Sequence, residues 1–382
     1  MRVALVHDYL NQYGGGEKVL EVFAEIFPDA PIYTLIYDKK ITDRILPGRE
    51  IRASFLQKIP FIKSNHRFFP PLMPLAVEKL DLSDYDMVIS DSAAFTKGVI
   101  TKPEALHICY CHTPIRYAWD DSHKYIKEFS MPFLAKIFVP LFMNYLRLWD
   151  REAAYRVDKF ICNSNFVSQR IKKYYRQEAE TIYPPVDGEF FTLADPVKSS
   201  SATNGASPAK DGVNYYLMVG RLLVYKRFDI AIEAFNRLEL PLKIIGSGPE
   251  MKKLKRMANW NIEFLGEIRG EKLREYYQNC QALIFPQEED FGIVALEAMA
   301  CGRPVIAYRG GGALESVKEG ETGVFFNEQT ANSLAEAVKK FNPSKFNPKL
   351  IRQHALKFDK QIFKKKIKDF VEKSYYDYWD RY

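Results

Sequence analysis

The chain has 382 residues, 47% of them apolar and 14% aromatic, which excludes a disordered protein and suits two packed domains better than one. A net charge of +7 is modest and fits an anionic partner such as a nucleotide, a phospholipid surface or nucleic acid. Five scattered cysteines, Cys109, Cys111, Cys162, Cys280 and Cys301, are odd in number and lie in apolar runs, as expected of reduced thiols in a cytoplasmic protein.

The start, "MRVALVHDYLNQYGGGEKVL", has too short an apolar stretch for a signal peptide. The longest apolar candidate for a membrane span, "MPFLAKIFVPLFMNYLRLW", is interrupted by Lys136, Pro140, Asn144 and Arg147. In the first half, "RVALVHDY", "PIYTLIYD", "DMVISDS", "LHICYCHT" and "KFICNS" are predicted as buried parallel strands alternating with helices. Residues 195–212, "DPVKSSSATNGASPAKDG", lack apolar periodicity and are expected to form a linker. After it, "YYLMVG", "LKIIG", "IEFLG", "ALIFP", "PVIAY" and "GVFF" each precede a helical stretch, the pattern of a second doubly wound sheet. The tail from about 346 is predicted to be helical.

The expected fold is therefore α/β, with two Rossmann-like doubly wound domains facing each other across a cleft. The predicted boundaries are 1–194, a linker at 195–212, 213–345, and a helical tail at 346–382 crossing back to the first domain. In such sheets ligands bind beyond the carboxyl ends of strands, so functional residues are sought there.

After the first strand, Gly14, Gly15 and Gly16 precede a helix. They can bring backbone N–H groups to an anion, or simply turn the chain. After "YYLMVG" come Arg221 and Lys226, a fork and a point charge that can converge on a diphosphate or remain solvated. After "ALIFP", Glu289 is expected in a loop, Gly292 near a helix start and Glu297 within the helix. Their eight-residue spacing would separate them by about 80° on one helix, so they reach different parts of one elongated ligand. The N–H groups of Phe291, Gly292, Ile293 and Val294 would receive its phosphate. Glu297 stands in the apolar run "GIVALEAMA", where a carboxylate needs a ligand or a salt bridge.

These motifs in order, "GRLLVYK", "IIGSGPE", "FLGEI", "FPQEEDFGIVALEAMACGRPVIA" and "GGALESVKEGETGVFF", resemble the donor domain of retaining glycosyltransferases of family 4, with the GT-B fold. The first half, with "HDYLNQYGGGEKVLE", "YCHTPIRYAWD" and "ICNSNFVSQRI", is similar to bacterial mannosyltransferases of O-antigen and exopolysaccharide synthesis. The resemblance implies a nucleotide-sugar donor, GDP-mannose being favoured, and a lipid-linked or oligosaccharide acceptor. It implies that Arg221 and Lys226 neutralise the departing diphosphate without a metal ion or other cofactor. Glu289 would hold sugar hydroxyls, Glu297 the ribose hydroxyls, and Gly15 and Gly16 would pack against phosphate or sugar. His112 would contact the donor sugar near the reacting carbon.

Other readings are weaker. "DYD", Asp84 to Asp86, precedes a strand and makes a poor metal site, and "CYCH", Cys109 to His112, lacks a partner cluster for zinc. Asp120 and Arg116 shape an acceptor pocket or pair with each other. Two carboxylates also suit a glycoside hydrolase, and a sugar-nucleotide epimerase shares the fold. A non-enzymatic basic binder has no use for a buried Glu297. Residues 59–80 and 128–156 mix aromatics with Lys and Arg, as in helices lying on an anionic membrane surface. The expected partners are thus donor, acceptor and the inner face of the cytoplasmic membrane, with no nucleic acid.

Overall fold

The computed structural model describes residues 1–65, 69–120, 133–194 and 215–380, with side chains left out at 64–65 and 133–138. The predicted linker at 195–212 lies outside the described residues. The chain divides into two compact units, Met1–Tyr183 with Phe363–Tyr382, and Pro184–Ile362.

The first unit carries a seven-stranded parallel sheet. Its strands are β1 (Val3–Leu10), β2 (Ile32–Tyr37), β3 (Ile51–Ala53), β4 (Met87–Ser92), β5 (Leu106–Cys111), β6 (Lys159–Cys162) and β7 (Ala179–Thr181), in the order β3-β2-β1-β4-β5-β6-β7. The five predicted strands are all present, since runs such as "LHICYC" are buried at every position, as a sheet covered on both faces demands. The unpredicted β3 and β7 are three-residue edge strands, partly exposed throughout, so no apolar run announced them. The chain builds outward from β1 to β3 and then returns to place β4 on the other side of β1. This makes the β1/β4 boundary a topological switch point.

The second unit repeats the logic with six parallel strands, β8 (Tyr216–Val219), β9 (Leu242–Ile245), β10 (Ile262–Gly266), β11 (Leu283–Phe285), β12 (Val305–Tyr308) and β13 (Gly323–Phe326). Their order is β10-β9-β8-β11-β12-β13, so the switch point lies between β8 and β11. Leu217, Ile244, Ile284 and Ile306 fill the sheet's centre, and helices Phe228–Leu238 and Ala331–Lys340 bury Phe235 and Leu334 against it.

Residues 184–194 group with the second unit, although the sequence had placed them in the first. Their backbone is held there: Val186 bridges Asp359, and Arg352 bonds the carbonyls of Gly188 and Phe191. Gln278 reaches the Thr192 carbonyl at 2.7 Å. At the other end, the helix Lys360–Trp379 contributes Phe363 to the first unit's core, 5.8 Å from both the Phe23 and Tyr110 rings.

The turn after β4 is fixed by buried charge. Lys97 is fully buried and pairs with Asp150, also fully buried, at 2.5 Å. Asp150 accepts from Trp119 Nε1 and the Tyr175 hydroxyl, each at 2.7 Å. Removing one member of such a pair strands the other. Lys97→Ala is expected to cost about 3–5 kcal/mol in urea unfolding, while Lys97→Met with Asp150→Leu recovers most of it. A single variant as stable as wild type would contradict this account of the turn.

Candidate functional site

The polar residues of each unit gather at its switch point, and each set is described on its own unit. In the first, β1 carries His7 and Asp8 in its second half, β4 has Asp91 next to last, and β5 leads directly into His112. Asp8 is buried, and its two oxygens accept the N–H groups of Ala93, Ala94, Phe95 and Thr96 at 2.7 to 2.9 Å. One strand end thereby clamps the loop that leaves its neighbour. Asp91, 1% exposed, bonds His7 Nδ1 at 2.8 Å through one oxygen and His112 Nε2 at 2.6 Å through the other.

The predicted glycine turn joins this group. Gly14 caps the helix Gly15–Ile26, and its N–H donates to Glu17 Oε2 at 2.7 Å. Glu17 Oε1 faces His7 Nε2 at 3.7 Å. A Cβ on Gly16 would touch both imidazoles, at 3.5 Å from His112 Nε2 and from His7 Cε1. Gly15 begins the helix beside it. Sequence reasoning named Gly15, Gly16 and His112, but missed Asp91 and Glu17. An acid closing a buried strand at the switch point was the available signal.

Burial alone would push both histidines toward the neutral form. For His7 the bonds and charges of Asp91 and Glu17 outweigh it, raising the pKa to about 10. Asp91 likewise raises that of His112. Burial opposes the Asp91 charge in turn, but the neighbouring His112 and His7 hold its carboxyl below the ordinary range.

In the second unit, β8 leads to Gly220 and Arg221 and then to a 3-10 turn, Val224–Lys226. Arg227 follows in a left-handed conformation, φ 54°, which costs a non-glycine residue energy. A two-pronged bond to Asp229 at 3.1 Å, with Gln329 at 3.2 Å, holds it there. The turn aims Lys226 at Glu289 in the loop after β11, and the two form an ion pair, both mostly buried. Burial lowers the Lys226 pKa and Glu289 more than restores it, so the net shift is upward; the nearby charge of Arg221 opposes that rise. The structure thus brings Arg221, Lys226 and Glu289 together.

Gly292 is the N-cap of the helix Ile293–Ala300 at φ 95°, where a side chain would run into the Phe285 ring. Phe291 is buried with its ring 5.7 Å from that of Phe358, while Ile293 and Val294 stay partly exposed in the first turn. Glu297 is 1% exposed, and its Oε2 accepts from the Tyr277 hydroxyl at 2.9 Å. Burial and then the Glu297 charge push that hydroxyl well above its ordinary range, keeping it a donor. The partner that the sequence demanded for Glu297 therefore includes Tyr277, which sequence reasoning missed. The loop also rests on an overlooked glycine pair: Gly312 N–H bonds the Glu289 carbonyl at 2.9 Å, and Gly311, at φ 58°, lies against the same carbonyl with no room for a side chain.

Asp120 and Arg116 were expected to form a pocket or to pair with each other. Asp120 instead pairs with Arg170 and accepts from the Tyr174 hydroxyl. Asp84 and Asp86 are engaged by Arg2, at 3.8 Å and 4.0 Å. Among the described residues no three His, Cys, Asp or Glu side chains group as metal ligands.

The His7 cluster makes stability pH-dependent. The folded pKa of about 10 lies above the 6.5 of an unperturbed histidine, so its contribution is complete below about pH 6.5. It is lost as pH rises toward 10. The stability gap between wild type and His7→Asn in urea is expected to narrow across that window; a gap constant from pH 6 to 10 would contradict it.

Two family models match the chain: Glycosyltransferase Family 4 over residues 13–190 and Glycosyl transferases group 1 over residues 201–356. An uncharacterised glycosyltransferase of Methanocaldococcus jannaschii is 28% identical over 60% of this chain and 62% of its own length. The O-antigen chain mannosyltransferase C of Escherichia coli is 28% identical over 54% of each chain. The chain thus spans less than two thirds of these relatives. The alpha-1,3/1,6-mannosyltransferase of Candida glabrata is 25% identical over 96% of this chain and 90% of its own. Among solved structures, Anabaena HepE in complex with UDP and glucose aligns at a TM-score of 0.72 and 18% identity, over 97% and 99% of the two chains. WaaG, a glycosyltransferase of lipopolysaccharide biosynthesis, aligns at 0.67 and 17% over the same shares. Two parallel α/β sheets, each with its polar residues at a switch point, and two matching family models make this chain a member of the family 4 and group 1 glycosyltransferases, with the Rossmann-like units of the GT-B fold.

Proposed function

We propose that the chain moves a hexose, with retention of configuration, from a nucleotide-sugar to a hydroxyl of a lipid-linked or oligosaccharide acceptor in cell-surface polysaccharide synthesis. One observation carries the reading: Lys226 and Glu289 are paired beside Arg221 at the carboxyl ends of β8 and β11, at that sheet's switch point. A mostly buried lysine and carboxylate that neutralise each other are a ready exchange site. The donor's diphosphate takes the lysine, and sugar hydroxyls take the carboxylate. As the glycosidic bond breaks, negative charge grows on the diphosphate, and fixed cations stabilise it without reorganising. In this reading no metal ion or other cofactor is required. Gly15, Gly16 and His112 of the first unit meet sugar or phosphate. Phe291 to Val294 supply backbone N–H groups to the donor, and Glu297 orients its ribose.

Glycoside hydrolysis is disfavoured because the two glutamates are not a matched acid and base. One is paired with a lysine and the other is buried on Tyr277. GDP-mannose is the proposed donor, supported by the mannosyltransferase relatives. The Anabaena structures hold UDP and UDP-glucose, so UDP-sugars form the second arm of the test. A screen of GDP- and UDP-sugars by turnover is expected to single out one donor, with kcat/KM in Glu289→Ala lower by about 100-fold or more. Undiminished turnover in that variant would overturn the assignment.

A membrane surface is the proposed place of work, on the inner face of the cytoplasmic membrane. No helix among the described residues is long and apolar enough to cross one. The helix Phe133–Tyr155 runs through Pro140 and exposes Leu141, Tyr145, Leu148 and Tyr155 at helical spacing, with Arg151 beside them. Parts of the segments that suggested this, 66–68 and 128–132, lie outside the described residues. Sedimentation with anionic vesicles at low salt is expected, and is weakened by Leu141→Ser with Leu148→Ser. Absence of wild-type binding would remove the membrane from the account.

A further inference from the structure

Four side chains of the first unit are linked by hydrogen bonds and one His–Glu contact into a chain that ends at the glycine turn. Asp91 bonds His112 Nε2 at 2.6 Å and His7 Nδ1 at 2.8 Å, His7 Nε2 faces Glu17 at 3.7 Å, and Glu17 holds the Gly14 N–H at 2.7 Å. Three of the members are screened from water, the side chains of Asp91, His7 and Glu17 being 1%, 6% and 5% exposed. Only His112 reaches the surface, at 13%. Its backbone is gripped on both sides, its N–H by the Ser92 carbonyl at 2.8 Å and its carbonyl by Asn163 at 3.0 Å.

We propose that Asp91, His7 and Glu17 are positioning residues which lock the ring of His112 and the turn Gly14–Gly16 into one rigid surface, leaving His112 Nδ1–H as the donor to an oxygen of the transferred sugar. The inference rests on the glycosyl-transfer reading and deepens its first-unit half. Asp91 commits Nε2, and no described residue bonds Nδ1. The nitrogen that meets a ligand is therefore chosen by the protein. With Nε2 engaged by Asp91, Nδ1 carries a hydrogen in the protonated ring, the form that the adjacent Asp91 carboxylate favours. The raised pKa values of both histidines agree with this. The groups facing His112 are Asp91 on β4, His7 and Asp8 on β1, and Tyr110 on β5, whose ring is 5.3 Å away. Gly16 lies on both imidazoles, within van der Waals contact of each for a Cβ at that position. A shift of His7 therefore reaches the turn and His112 together.

The test is coupling at a distance. Glu17 does not bond His112, yet in Glu17→Gln the imidazole nitrogen resonances of His112 in labelled full-length protein are expected to move. The donor kcat is expected to fall about tenfold, as for loss of one hydrogen bond to a charged group. Asp91→Asn is expected to lower kcat about 100-fold with donor KM within about threefold, as for loss of a fixed donor rather than of ground-state binding. His7→Asn, which keeps a short amide toward Asp91, is expected to retain more kcat than His7→Ala. Circular dichroism and urea midpoints identify any variant that unfolds, and Glu17→Gln, the mildest change, then decides. Unmoved His112 resonances and wild-type kcat in folded Glu17→Gln would overturn the relay. If the resonances move but the wild-type protein transfers no sugar, the relay stands and the transfer reading falls.

Discussion

A parallel sheet covered on both faces has almost no place for a charge except where its strands end. That constraint organises both units. In β5 every residue is buried, and in β4 the only carboxylate, Asp91, stands next to last. Taking a carboxylate out of water costs several kcal/mol unless it is paired, so each buried acid in or beyond these strands has drawn partners to itself. Asp91 has two imidazoles, Asp8 has four backbone N–H groups, Glu289 has Lys226, and Glu297 has the Tyr277 hydroxyl. The loops that follow the strands take their shape from these pairings, and at a switch point neighbouring loops part to leave room beside them.

The two units use different means to the same end. In the first, charge is arranged as a closed set whose members hold one another, with a single ring reaching the surface. In the second, the Lys226–Glu289 pair has no third partner bonding the lysine among the described contacts, apart from the Tyr225 ring 5.3 Å from its ammonium. A closed network resists rearrangement, whereas an isolated pair exchanges partners when a better anion arrives. The first suits a fixed surface and the second a site that opens around a charged ligand. The energy stored in Arg227 at φ 54° fits this division. The strained turn is the one that aims Lys226 at Glu289.

Much of the fold was legible because strands buried on both faces appear as uninterrupted apolar runs. All eleven predicted strands are present, and only the edge strands Ile51–Ala53 and Ala179–Thr181, half exposed and three residues long, gave no signal. Glu289 and Glu297 stood out because an acid flanked by apolar residues demands a partner, but the partner's identity is a tertiary fact. Tyr277 lies twenty residues before Glu297, and Lys226 lies in the loop of another strand. Asp91 and Glu17 were hidden for a different reason. "SDS" closing a predicted strand resembles an ordinary polar strand end, and an acid in the first turn of a helix resembles routine dipole compensation. Only the strand order, which sets β4 beside β1, turns them into neighbours of His7. The Asp120–Arg170 pair was missed on the same ground, since nothing local connects residues so far apart in sequence.

The central claim is that the lysine of the Lys226–Glu289 pair is the counter-ion for a nucleoside diphosphate. Calorimetric titration of GDP and UDP, each beside its parent nucleoside, into wild type and Lys226→Met tests it most directly. The account predicts that the variant loses about 10- to 100-fold in affinity for the diphosphate that wild type prefers, the worth of one charge-assisted hydrogen bond, and nothing for the nucleoside. Equal affinity of the two proteins for that diphosphate would contradict it.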